Sequence, residues 1–220
     1  MKTYRTYQMR LTRVVKAGAA LGGAIFTAAA LQAQSAGQNT TPPPPASAEP
    51  SADLSHRAKD FLKEAGQANQ TEIAMTNVAE NKSQNAQVKD LAGMIRTDHE
   101  QNYAQLQMIA RNHGITLDAK LDMLNQHEVN RLQKANDADF DKEYTKVMLK
   151  DHVKCIKRFD KAASDMEEQD VKQYAQSTVP ALRRHLLKSE EAARSAGVDE
   201  STITSILKGL PSEDQAVTSR

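Results

Sequence analysis

One cysteine, Cys155, occurs in the 220 residues, so no intramolecular disulfide can form and packing must hold the fold. Glycine and proline are scarce between Ser55 and Gly197, and alternating apolar–polar runs and Asn-Gly or Asp-Gly hairpin dipeptides are missing there. A sheet is therefore not expected. No phosphate-cradling glycine loop, zinc-finger spacing or nucleophile–base pair appears, so ordinary hydrolase and nucleotide chemistry have no motif to work with. The chain is not expected to be an enzyme unless a buried cluster supplies the chemistry.

Basic clusters are also missing once the first segment is set aside. Lys2, Arg5, Arg10, Arg13 and Lys16 precede a short apolar run, Ala17 to Leu31, and Leu31-Gln32-Ala33 suits signal cleavage. Residues 1–33 thus read as an export signal, with an uncleaved anchor as the alternative. No cysteine stands at the cleavage point to carry a lipid. Removing the five cations leaves 24 basic against 28 acidic residues, a net −4. Nothing remains to track nucleic acid or anionic lipid. No later stretch is long and apolar enough for a transmembrane helix. A periplasmic or envelope-associated location is expected, with an envelope protein or a second copy as partner.

Residues 34–52, with prolines at 42–45, read as an extended disordered linker. Residues 53–197 are the expected folded domain and 198–220 a weakly structured tail, with a turn or two of helix at Ser201 to Leu207.

Helical spacing fills the domain. Helix one, about Ser55 to Asn81, carries Leu54, Ala58, Phe61, Ala65, Ala68, Glu72, Met75 and Ala79 on one stripe. Helix two, about Gln84 to Asn112, carries Val88, Ala92, Ile95, His99, Asn102, Leu106, Ile109 and His113, and Gly114 stops it. A shorter helix, about Asp118 to Lys134, reads as a crossover. The third bundle helix is centred on Phe140 to Phe159, with Tyr144, Val147, Asp151/His152 and Cys155 facing inward. The fourth, about Gln169 to Ala196, places Val171, Ala175, Thr178, Leu182, His185 and Ser189 on its stripe, and Pro180 should bend it.

A faint duplication supports two hairpins. Asp60-Phe61 recurs as Asp139-Phe140, Val88-Lys89-x-x-Ala92 as Val171-Lys172-x-x-Ala175, and Ala110-Arg111-x-x-Gly114 as Ala193-Arg194-x-x-Gly197. Two helical hairpins joined by a long connection make an all-α, ferritin-like antiparallel four-helix bundle.

Each bundle helix interrupts its apolar stripe with an ionisable residue. Residues equidistant from a hairpin turn lie at one level. Glu72 and His99 flank the turn near 85, and Asp151/His152 and His185 flank the one near 168. Glu72, His99, Asp151 and His185 are the expected ligands of one ion, and Zn, Fe or Mn suits two imidazoles and two carboxylates. Asp98 and His152, one position off, would orient the ligands or replace them. The bland alternative is a carboxylate–imidazole network that fixes the bundle register. His56, His113 and His127 read as solvated, and Met75, Met94, Met108, Met148 and Met166 as core rather than a copper site. Cys155 reads as a buried, inert thiol.

The segments TEIAM, VKDLAGMIRTDHEQN, FDKEY, LKDHVK, VKQYA and TVPALRRHL resemble an exported bacterial family of ferritin-like bundles of unknown function. Its members are often labelled putative or predicted outer membrane proteins. The resemblance implies the bundle fold and export, and brings no activity; a barrel is at odds with an all-helical chain. The wider ferritin superfamily holds two irons with Glu-x-x-His on two helices. Here Arg96 and Leu182 stand three residues before His99 and His185, which argues against a di-iron oxidase. Three function classes follow: an exported metal-binding stress protein, a non-catalytic envelope structural or interaction module, and a metal-dependent oxidase.

Overall fold

A computed structural model describes residues 54–210. The expected signal, 1–33, the expected linker, 34–52, and residues 211–220 of the expected tail lie outside the described residues. Six helices and no strand occur among those described: α1 His56–Lys82, α2 Ala86–Asn112, α3 Met123–Lys134, α4 Asp137–Asp165, α5 Gln169–Ser195 and α6 Glu200–Leu207.

Local chemistry starts and stops these helices. Ser55, Asn85, Asp122, Asn136 and Asp199 cap N-termini by accepting hydrogen bonds from backbone N–H groups of the first turn. Gly114 and Gly197 take positive φ, 66° and 79°. At each, the next residue's N–H reaches back five positions, Ile115 to Ala110 at 2.8 Å and Val198 to Ala193 at 2.9 Å. The repeated Ala-Arg-x-x-Gly motif is therefore one cap geometry used twice.

Two hairpins carry the bundle. Three-residue turns, 83–85 and 166–168, fold α2 back along α1 and α5 back along α4. The pairs join where α2 packs on α5 and α1 meets α4. The stretch from Asp118 to Ala135 runs along α1: Gln67 and Gln70 donate to the carbonyls of Lys120 and Asp118, and Lys82 to that of Ala135. The helix α5 continues through Pro180. The turn or two of helix expected at Ser201 to Leu207 is the eight-residue α6, which buries Ile203 and packs on α4.

Apolar packing falls into two bodies. Phe61, Phe159 and Tyr174 meet edge-on or tilted in one, with ring centroids 5.1–6.2 Å apart, beside Leu62, Leu106 and Ile156. Met75, Ile95, Phe140, Tyr144 and Met148 make the other. Each fully buried large side chain contributes about 1.5–3 kcal/mol. Met75, Met148 and Met166 are core as expected, whereas Met108 is exposed. Between the two bodies, each helix swaps its apolar residue for a polar one, and that layer is the site.

Candidate metal centre

Four long helices each send one ionisable group into the polar layer: Glu72 from α1, His99 from α2, His152 from α4 and His185 from α5. All four are buried, between 0% and 6% exposed. The three imidazoles each offer a nitrogen within 4.8 Å of the others. Glu72 Oε2 stands 3.3 Å from His99 Nε2 and 3.4 Å from His152 Nε2. His152 Nε2 is 3.2 Å from His185 Nδ1.

The outer nitrogens fix the tautomers. His152 Nδ1 lies 2.9 Å from the Met148 carbonyl oxygen, which can only accept, so that nitrogen carries the proton. His185 Nε2 donates to the Asp98 carboxylate at 2.8 Å, which Arg184 also grips. His99 Nδ1 donates to Asn69 Oδ1 at 3.1 Å, and Asn69 is held in that orientation by donating to the Ala65 carbonyl. In each neutral ring the inner nitrogen is thus a bare lone pair.

Electrostatics reinforce this state. Burial pushes all three imidazoles down to about 4, so they are neutral at pH 7. Burial pushes Glu72 up to about 7, against the pull of His99. Burial raises Asp98 too, but its bonds from His185 and Arg184 outweigh that and hold it below the usual range. Both Glu72 oxygens and His99 Nε2 are buried without a hydrogen bond. Three lone pairs and a carboxylate therefore converge with at most one proton, on Glu72, to share. Such an arrangement is costly unless a cation sits among them.

The structure brings the expected Glu72, His99 and His185 together, and of the adjacent candidates Asp151 and His152 it is His152 that joins them. His152 points inward, 3.4 Å from Glu72 and 3.2 Å from His185, while the adjacent Asp151 turns to Lys154 at 3.4 Å. A helix advances about 100° per residue, so neighbouring residues on a stripe's edge compete for the centre and spacing alone does not choose. Asp98, expected beside the cluster, orients His185. Asn69 was missed; its only signal was an amide on α1 one turn before Glu72. His113, expected to be solvated, pairs with Asp170 at 2.7 Å and ties the end of α2 to the start of α5. His56 and His127 are exposed. Cys155 is buried, and burial raises its thiol well above the usual range, so it stays protonated.

The model of a family described as a domain of unknown function (DUF4142) matches residues 43–192. No curated protein matches the chain. Among solved structures, the crystal structure of a DUF305 fragment from Deinococcus radiodurans is similar, with 14% identity and a TM-score of 0.57. That likeness covers 64% of this chain and 97% of the fragment, and it concerns the helical fold alone.

Proposed function

We propose that this chain, which belongs to the DUF4142 family, binds one divalent transition-metal ion through His99 Nε2, His152 Nε2, His185 Nδ1 and Glu72. The observation that carries the reading is the convergence of unprotonated donor atoms whose outer partners, Asn69, the Met148 carbonyl and Asp98, orient them all inward. Metal-bound imidazoles are commonly held by such outer acceptors. Ligand atoms about 2.0–2.1 Å from a tetrahedral ion stand roughly 3.3 Å apart. Three of the six ligand–ligand spacings, 3.2, 3.3 and 3.4 Å, match that edge, and the three imidazole nitrogens all lie within 4.8 Å of one another. Three imidazoles and one carboxylate suit Zn, Fe or Mn in a mononuclear site. A single carboxylate leaves too few ligands for the di-iron arrangement.

The rest of the reading is architectural. Two hairpins with a connecting segment that travels along α1 support a ferritin-like bundle with a crossover. The cationic start and short apolar run support export to the periplasm, where the bundle acts in metal handling or envelope stress rather than catalysis.

Metal analysis of the purified chain, repeated after chelation and reloading, tests the proposal. The expected result is one ion per chain and a melting temperature that rises with metal and falls with chelator. No bound ion and no metal-dependent rise would leave the four residues as a structural network.

A further inference from the structure

The centre is flanked by two clefts of opposite character. One, about 310 Å³, opens between α2 and α5 and exposes edges of His99 and His185. Its acid, Asp98, is already occupied by His185 and Arg184, and the half-exposed Arg184 guanidinium stands at its rim. That cleft offers an incoming ion no unpaired carboxylate.

The other cleft, about 180 Å³, lies where α3 crosses α1 and α4, and Glu128, Asp151 and Glu72 line it. Their side chains grade inward from 45% to 25% to 3% exposed. The innermost, Glu72, is buried without a hydrogen-bond partner and belongs to the metal centre itself. The cations around this cleft are paired and exposed: Arg131 with Glu128 at 3.1 Å, Arg158 with Glu64, and Lys154, itself 76% exposed, with Asp151 at 3.4 Å, so an incoming divalent ion has to displace Arg131 and Lys154 from the two carboxylates.

We infer that this α3-side cleft is the route by which the ion reaches the centre, with Glu128 and then Asp151 as transient carboxylate ligands that hand a divalent cation to Glu72. The inference rests on the proposed metal site. Its chemistry is ligand exchange: each carboxylate replaces a water of the hydrated ion and is displaced by the next, deeper one, so no charge is left uncompensated on the way in. Negative charge lining a narrow cleft also raises the local cation concentration, an effect of about 10- to 1000-fold on association rates. Asp151 thereby has a role as a transient ligand outside the resident set.

The test follows Co²⁺ uptake by the full folded chain in rapid mixing, read by visible absorption. Asp151→Asn should slow uptake by about tenfold and Glu128→Gln combined with it by more, while the final stoichiometry stays one. Salt should slow wild-type uptake more than that of the double variant. Gln105→Lys, which adds a cation to the α2–α5 cleft, should leave the rate unchanged. Unaltered uptake in the double variant, or slowing by Gln105→Lys as large as by Asp151→Asn, overturns the route while the metal site stands. If wild-type protein takes up no Co²⁺, site and route both fall; if Asp151→Asn instead loses the ion at equilibrium, Asp151 is a resident ligand and the transient role is wrong.

Discussion

His152 Nε2 faces His185 Nδ1 across 3.2 Å even though the other nitrogen of each ring already donates to an acceptor, the Met148 carbonyl and Asp98. Two lone pairs at hydrogen-bond distance repel unless one ring takes a second proton or a cation lies between them. Burial opposes the second proton, since both rings are pushed down to about 4. The pair is therefore relieved by a cation between the two nitrogens more readily than by a second proton.

Without metal, this makes stability pH-dependent with a definite sign. The three imidazoles, near 6.5 when unfolded and about 4 when folded, bind more protons in the unfolded chain between those values. They favour folding above pH 6.5 and withdraw that support as pH falls toward 4. Glu72 does the reverse: its rise from 4.5 to about 7 means the folded state holds the extra proton, so its contribution is lost as pH rises through 7. Three imidazoles outweigh one carboxyl. Unfolding of the chelated protein near pH 5.5 should take up about two protons, and its melting temperature should drop between pH 6.5 and 5. Calorimetry across that range checks it; a flat profile would show that the rings are not neutral when folded.

Ligand identity separates neighbouring residues. His152→Ala should abolish the metal-dependent rise in melting temperature, and Asp151→Ala should retain it. Both variants are compared with and without chelator by thermal denaturation. The opposite outcome would place Asp151, not His152, on the ion.

Glycine positions test the frame independently of the site. Gly114 has φ +66° and open space around a new Cβ, so Gly114→Ala should destabilise by about 1–2 kcal/mol through backbone strain alone. Gly93 lies within α2, where an added Cβ would meet only Glu80 Oε1 at 3.4 Å. Gly93→Ala should stabilise by roughly 0.5–1 kcal/mol, because alanine loses less backbone entropy in a helix. Denaturant unfolding of the two variants should show opposite signs.

The helices and the level of the polar layer were legible in the sequence because both follow from counting: apolar stripes at helical spacing, and distances from short turns. Glu72, His99 and His185 came out of that count directly. Which of Asp151 and His152 turns inward was not, since both sit at the edge of the α4 stripe and the choice is made by the Met148 carbonyl accepting from His152 Nδ1. Asn69 was invisible for a related reason: its part is set by a contact thirty residues away in sequence, to His99. The turn or two of helix expected at Ser201 to Leu207 is α6, and what spacing did not show is its support, the burial of Ile203 in a helix that packs on α4.

Asn69 provides the sharpest test of whether the layer is built for an ion. Its Oδ1 accepts the Nδ1 proton of His99 while its Nδ2 is anchored on the Ala65 carbonyl, so it holds the ring with Nε2 toward Glu72. Asn69→Leu keeps the branched shape and removes the acceptor. His99 then loses both the orientation and the electron density that its outer bond supplies, and metal affinity should fall about 10- to 100-fold. The unpaired buried N–H should also destabilise the chelated protein by about 1–3 kcal/mol. These two effects separate the readings. In a metal site the variant loses more stability when the ion is present than when it is absent, at an ion concentration that saturates wild type. In a purely structural network the two losses are equal. Titration with Zn²⁺ followed by melting of both forms measures the difference, and equal losses would remove the ion from the account of why His99 is held as it is.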